Sequence, residues 1–310
     1  MPRNAQQEDP ARGSRISSGG AAGRPPLLYL FSLFLVAAVA LLLLAGGLVT
    51  SRKAGLAVPD WPLSYGRLFP PMVGNIFWEH GHRMIAAAVG ILTIVFAVLL
   101  QIFQDHPPAG ARRALPLLGW VAVGAVLIQA LLGGLTVKFL LPPAVSIAHA
   151  CLAQTFFCLT AAIAYFLSPY YAKRASAPAA KPSPKSLRLF DMTTGFIYLQ
   201  LILGAVIRHT GHAVTAHILV AFLVAIHVIL VMVRVLRFYP GQKVLVRFAV
   251  GLPLLTAVQI SLGMGSFIFT RVLASGGTPS LPQVLFTAAH QTTGALVLAA
   301  GFLITLLVRS

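Results

Sequence analysis

Eight apolar runs, each long enough to cross a bilayer, decide what this chain can fold into. They cover approximately Leu27–Val49, Ile76–Leu100, Leu115–Val137, Ala144–Leu167, Phe190–Ile207, Val214–Val235, Phe248–Phe269 and Val284–Val308. A crossing takes about 20 apolar residues. Inside hydrocarbon every backbone polar group must be satisfied within the chain, so each run is expected to be a helix. The predicted fold class is all-α, a polytopic membrane protein with eight transmembrane helices. With 58% hydrophobic and 9% charged residues, the chain lies far from a soluble composition. Its formal charge of +17 could point to nucleic acid. The basic residues, however, fall between apolar runs and not on one face, so the bilayer is the expected partner and nucleic acid is not.

The same basic residues give an orientation. Sixteen of the 23, among them Arg112, Arg113, Lys173, Arg174, Arg234, Arg237 and Arg309, fall on the side of both termini. Arg52, Lys53, Arg67, Arg83, Lys138, Arg208 and Arg271 fall on the other. The positive-inside rule then predicts cytoplasmic N- and C-termini in a bacterial inner membrane. Residues 1–26, rich in Arg, Gly, Ser and Ala, read as a disordered cytoplasmic tail. Residues 27–167 form a first four-helix half, 168–187 a cytoplasmic linker, and 188–310 a second four-helix half. Cys151 and Cys158, seven apart in one run, are about 10 Å apart on a helix and too distant to form a disulfide with each other.

The halves repeat one another. Ile128–Gly134 echoes Val258–Met264, and Leu141–His149 echoes Leu281–His290 with one residue inserted. Gly46–Val49 echoes Gly204–Ile207, and His82–Ala86 aligns more weakly with His217–Ala221. This is the mark of a duplicated four-helix unit, so two duplicated bundles are expected, both starting on the cytoplasmic side.

The repeat selects four of the nine histidines, namely His82, His149, His217 and His290. All four lie near the outer ends of even-numbered spans, and in each half the pair comes from two different helices. Two imidazoles on facing helices, without a Cys or Asp cluster, fit bis-histidine ligation of a haem iron better than a tetrahedral zinc site. One haem-sized site per half is predicted, near the outer face. The alternative is four histidines that only hydrogen-bond between helices. Arg83 and Arg208, and less so Lys138, could pair with haem propionates or could snorkel to the interface. Gln129 and Gln259 are expected to bond between helices. His106 reads as a solvated loop residue, His80 as an interfacial side chain turned away from His82, and His227 as a core residue bonded to a neighbouring helix. His209 and His212 are placed near the second site, without a defined role.

Glu79 breaks the symmetry. It has no acidic counterpart before His217, and only Asp60 and Glu79 are acidic on the outer side. Glu79 and His82, three apart on a helix, share a face. A carboxylate beside one pair of histidines and not the other indicates one site for chemistry and one for electron transfer. Burial would favour the protonated form and suit Glu79 to proton transfer, whereas an ion pair with Arg83 four residues on is the structural alternative.

These segments together resemble the haem A synthase family over nearly all of residues 27–308. They are Gly46–Thr50, Gly55-Leu56, Pro59–Pro62, Glu79–Arg83, Leu132–Val137, Leu141–Ala144 with His149, Arg208–Gly211 and Ala289–Gly294. The resemblance implies an oxidoreductase acting on a CH group, which oxidises the C8 methyl of haem O to the formyl of haem A. The family account is successive hydroxylation with water-derived oxygen, through a geminal diol, electrons leaving by a haem b. It implies haem b (iron) on His217 and His290, substrate haem O between His82 and His149, and Glu79 essential beside it. Implied partners are a haem O synthase, cytochrome oxidase assembly factors and an electron acceptor that the sequence does not identify; a homo-oligomer is compatible. Many bacterial members carry a cysteine pair where this chain has Val58 and Ser64, so a thiol route for electrons through this loop is not expected. The rival readings are a non-catalytic di-haem b-type cytochrome and a haem transporter or chaperone. The first would not need Glu79 in one half only; the second would expect polar residues down a pathway, and the spans carry few at mid-depth.

Overall fold

A computed structural model describes residues 27–103, 111, 113–175, 182–274 and 276–309. The expected N-terminal tail and His106 lie outside the described residues. Among these residues the chain is all-helical, with one isolated bridge between Ser64 and Arg67. Eight helices are long and apolar enough to cross a membrane. They are α1 (Leu27–Ser51), α2 (Gly74–Ile102), α3 (Ala114–Lys138), α4 (Pro143–Leu167), α6 (Pro184–Thr210), α7 (Val214–Phe238), α8 (Lys243–Phe267) and α9 (Leu281–Arg309). A π-helical turn, Ile268–Val272, extends α8. The stretch expected to be a linker holds a short helix α5 (Pro169–Ala175) and the first turn of α6. That turn begins with a proline at its first position and a Ser183 cap accepting from the Ser186 amide, a start signal that Lys185 and Arg188 obscure in a hydropathy reading. Gly211, at φ +79°, closes α6 in the left-handed conformation.

The neighbour relations are the same in the two halves. In the first, α1 packs on α2, α2 on α3, α3 on α4 and α4 on α1; in the second, α6, α7, α8 and α9 close in the same order. Among the described residues no Cα atoms of α1 and α3, or of α2 and α4, approach within 8 Å, nor do those of α6 and α8, or α7 and α9. Each half is therefore a ring of helices whose diagonal members stand apart. The halves meet through α1 on α9, α4 on α6 and α4 on α9. Consistent with this, 56% and 50% of the spanning windows of α4 and α9 are buried, against 22–28% in the others.

Packing differs sharply between the two ends. The largest fully buried side chains include Phe96, Phe190, Leu35, Leu100, Leu115, Ile163, Leu245, Leu252, Ile304 and Leu307. All of these sit toward the ends of the helices remote from the four selected histidines. Burial of this kind contributes about 1.5–3 kcal/mol per side chain relative to exposure in water, and in a bilayer the same contacts act through close packing. Most of the largest fully buried side chains thus gather toward the end remote from the histidines, with Val58 of the outer loop an exception.

Candidate haem-ligating sites and their covering loop

Each of the four histidines packs against a glycine on the preceding span. A Cβ on Gly46 would lie 3.1 Å from His82 Cε1, one on Gly133 3.3 Å from His149 Cε1, one on Gly204 3.3 Å from His217 Cε1, and one on Gly263 2.7 Å from His290 Cε1. The glycines let the imidazoles lie back against the neighbouring backbone, their rings on the inner face of each helix ring. All eight residues fall within roughly 15 Å of the helix ends at which α1 joins α2. The pairs Gly46/Gly204 and Gly133/Gly263 were visible as sequence echoes. Their partnership with the histidines was not.

In the second half, the ring centroids of His217 and His290 are 6.2 Å apart at an interplanar angle of 72°. An imidazole nitrogen binds a first-row metal at about 2.0–2.1 Å and lies about 1.1 Å from its ring centre, so two axial imidazoles place their centroids roughly 6.3 Å apart. The spacing fits a metal held between the two rings. His290 Nδ1 lies 3.0 Å from the Gln259 carbonyl oxygen, and donating to it leaves the Nε2 lone pair for a ligand. In the first half His82 lies against Gly46 and His149 against Gly133. Gln129 Nε2 donates to the His149 carbonyl oxygen at 3.0 Å, tying α3 to α4. Among the described residues no three His, Cys, Asp or Glu side chains gather into a metal cluster, so the donors offered are paired imidazoles. The spacing of the second pair therefore suits a group ligated from two sides. The cysteines are free, Cys158 buried and Cys151 half-buried.

The long connection from Arg52 to Val73 covers only the first ring, and α2 anchors it. Val58 and Ser64 are fully buried. The Val58 amide donates to Glu79 Oε2 at 2.9 Å, and the Ser64 hydroxyl lies 2.8 Å from His80 Nδ1. Arg83 Nη1 donates to the carbonyls of Asp60 (2.8 Å) and Leu63 (2.9 Å), and its Nη2 to Glu79 Oε1 at 2.5 Å. Asp60 accepts from the amides of Tyr65 and Gly66 at 2.7 Å each. The amide of Gly66 foremost, then that of Tyr65, holds the exposed Asp60 carboxyl below its ordinary range, against an opposing effect of desolvation. Trp61 lies over Gly134, where a Cβ would approach its ring to 2.7 Å, one residue beyond the glycine that supports His149.

The predicted site residues are placed as follows. Glu79 is buried one turn before His82, and each of its oxygens has a partner, so the ion pair with Arg83 is formed. Arg83 is a clamp on the loop. Arg208 reaches from α6 to the first half, its Nη2 donating to Ser51 Oγ (2.7 Å) and the Gly47 carbonyl (3.3 Å), while its buried Nε has no partner. Lys138 is exposed at the end of α3. His209 is half-buried in the last turn of α6, next to Arg208. His80 is buried, not interfacial, and His212 is exposed. His227 bonds the Leu223 carbonyl of its own helix, not a neighbouring one, and meets Phe196 edge-on with centroids 4.7 Å apart.

The family model described as cytochrome oxidase assembly protein (COX15-CtaA) matches residues 72–216, from two residues before α2 to the residue before His217. Proteins named Heme A synthase match as well. That of Bacillus pumilus (strain SAFR-032) is 29% identical over 188 residues, 59% of this chain and 59% of its own length. That of Methylobacterium sp. (strain 4-46) is 34% identical over 143 residues, 41% of this chain and 38% of its own. That of Brucella anthropi is 33% identical over 132 residues, 38% and 35% respectively. Over these residues the chain is similar to the haem A synthase family. The matches span about six tenths or less of these relatives, and the family model takes in Glu79, His82 and His149 but stops short of His217 and His290.

Proposed function

We propose that this protein is a haem A synthase of the bacterial inner membrane, oxidising the C8 methyl group of haem O to a formyl group. The observation that carries the reading is the His217–His290 spacing of 6.2 Å inside a ring whose diagonal helices stand apart, with a second histidine pair in the ring that alone carries Glu79 and the covering loop. Haem b on His217 and His290 would supply a one-electron acceptor. Substrate haem O would lie between His82 and His149, with both rings at the outer face and both termini in the cytoplasm.

The chain's own residues divide the work. His82 and His149, seated on Gly46 and Gly133, fix the plane of the substrate. Trp61 and the loop close the ring above it and limit bulk water. Glu79, one turn from His82, is positioned to take up a proton as a methyl carbon is hydroxylated with oxygen from water. The Val58 amide and Arg83 hold its carboxylate, so the loop and the carboxylate move together. A permanent electron-transfer cytochrome would not need a carboxylate and a lid on one ring only.

Acid extraction and chromatography with mass detection test the reading, in a host that makes haem O and has no haem A pathway of its own. Haem A, or its hydroxylated precursor, should form only when this protein is present. Intact protein carrying haem b while haem O stays unconverted, with an electron acceptor supplied, would sink it in favour of the di-haem cytochrome.

A further inference from the structure

Resting on the substrate site proposed above, we infer that Arg52 binds a carboxylate of the tetrapyrrole in the first ring, with Trp78 as the platform that holds its guanidinium in place. Arg52 Cζ lies 4.3 Å from the centre of the Trp78 ring. Trp78 precedes His82 by one helical turn, so the two share a face of α2, and the cation sits one turn outside the first-ring histidine. Its Nε is buried and has no hydrogen-bond partner. A buried guanidinium donor left unpaired is costly, and a carboxylate from a bound ligand is the group that matches its geometry.

Of the two other arginines near this ring, Arg83 is fully engaged, whereas Arg208 is engaged through Nη2 and, like Arg52, keeps an unpaired Nε. Arg83 donates to loop carbonyls and Glu79, and Arg208 to Ser51 and Gly47. The pair is also confined to the half with the covering loop. In the register that matches Gly46 with Gly204, Arg52 falls on Thr210; in the register that matches His82 with His217, Trp78 falls on Ala213. A ring that must select a substrate and release a product gains from a reachable cation near its mouth, whereas a permanent occupant does not require one.

The test compares iron protoporphyrin IX with its dimethyl ester, whose carboxylates are blocked. Purified protein with haem b already in the second half is titrated with each, and the first-ring signal is the part that His149→Ala removes. Unaltered protein should bind the free acid about tenfold more tightly than the diester, the contribution of one charge-assisted contact. Arg52→Gln should bind both alike, near the diester affinity, and Arg52→Lys should recover part of the difference. Equal binding of acid and diester by unaltered protein would overturn the inference, as would an Arg52→Gln protein that still discriminates. The first of these outcomes needs no variant, so a misfolded variant cannot shelter the idea. Absence of any His149-dependent binding would instead strike at the proposed substrate site itself.

Discussion

Ser64 and His80 are joined by a hydrogen bond of 2.8 Å, hydroxyl to Nδ1, with both side chains buried. Together with the Val58 amide on Glu79, 2.9 Å away, this bond fastens the covering loop to the first two turns of α2. Ser64 and Val58 stand where many relatives of this family are expected to carry cysteines, so hydrogen bonds serve here as the latch. His80 Nε2 is already buried without a partner. Ser64→Ala would leave both ring nitrogens unsatisfied, a local cost of about 1–3 kcal/mol. Protease cleavage and amide exchange within residues 54–67 should rise in Ser64→Ala, while haem b in the second half is retained. Unchanged loop protection would show that the bond does not hold the lid.

The loop should also respond to acid. Asp60 has its carboxyl held below the usual 3.8 by the amides of Gly66 and Tyr65. A carboxylate with a depressed folded value contributes order above its unfolded value and loses that contribution as pH falls through the folded one. Amide protection of Tyr65 and Gly66 should therefore be flat from neutral pH down to about 5, then fall below the ordinary aspartate range. Asp60→Asn should lower protection at neutral pH and remove the acid limb. An acid limb that persists in Asp60→Asn would assign it to another group.

The spans were legible in the sequence because each is a long apolar run, and the matched positions of the four histidines because they follow from repetition. A run of 20 or more apolar residues has one stable form in a bilayer, and a duplicated unit marks the residues kept at matching depth. His80 was misjudged because helical geometry turns it away from His82, and only the fold of a connection over twenty residues long shows that Ser64 waits on that side. Local periodicity carries no information about which neighbouring helix lies against a given face.

The glycine seats give a prediction that separates the two rings. An added Cβ on Gly263 would come within 2.7 Å of His290 Cε1 and 3.2 Å of its Nδ1, so the imidazole must leave the position that sets its 6.2 Å spacing to His217. Gly263→Ala should abolish most of the haem b retained on purification, read as the pyridine haemochrome per protein. Gly46→Ala, at 3.1 Å from His82, should spare that haem and act on conversion of haem O. Full haem b retention in Gly263→Ala would mean that His290 does not ligate from the position seen here.

Glu79 poses the sharpest question, because its two oxygens anchor the loop while its position favours a part in the chemistry. Glutamine in its place offers one acceptor where two donors, the Val58 amide and Arg83 Nη2, now point. Glu79→Gln should therefore loosen the loop as Ser64→Ala does. If proton transfer is also lost, conversion of haem O should fall by roughly a hundredfold or more, the usual scale for removing a general acid or base. The comparison that decides is between the two variants at equal loop exchange. A far deeper loss of turnover in Glu79→Gln than in Ser64→Ala, with second-half haem b equal in both, places Glu79 in the reaction. Equal losses would make it an anchor whose effect on turnover passes through the lid alone.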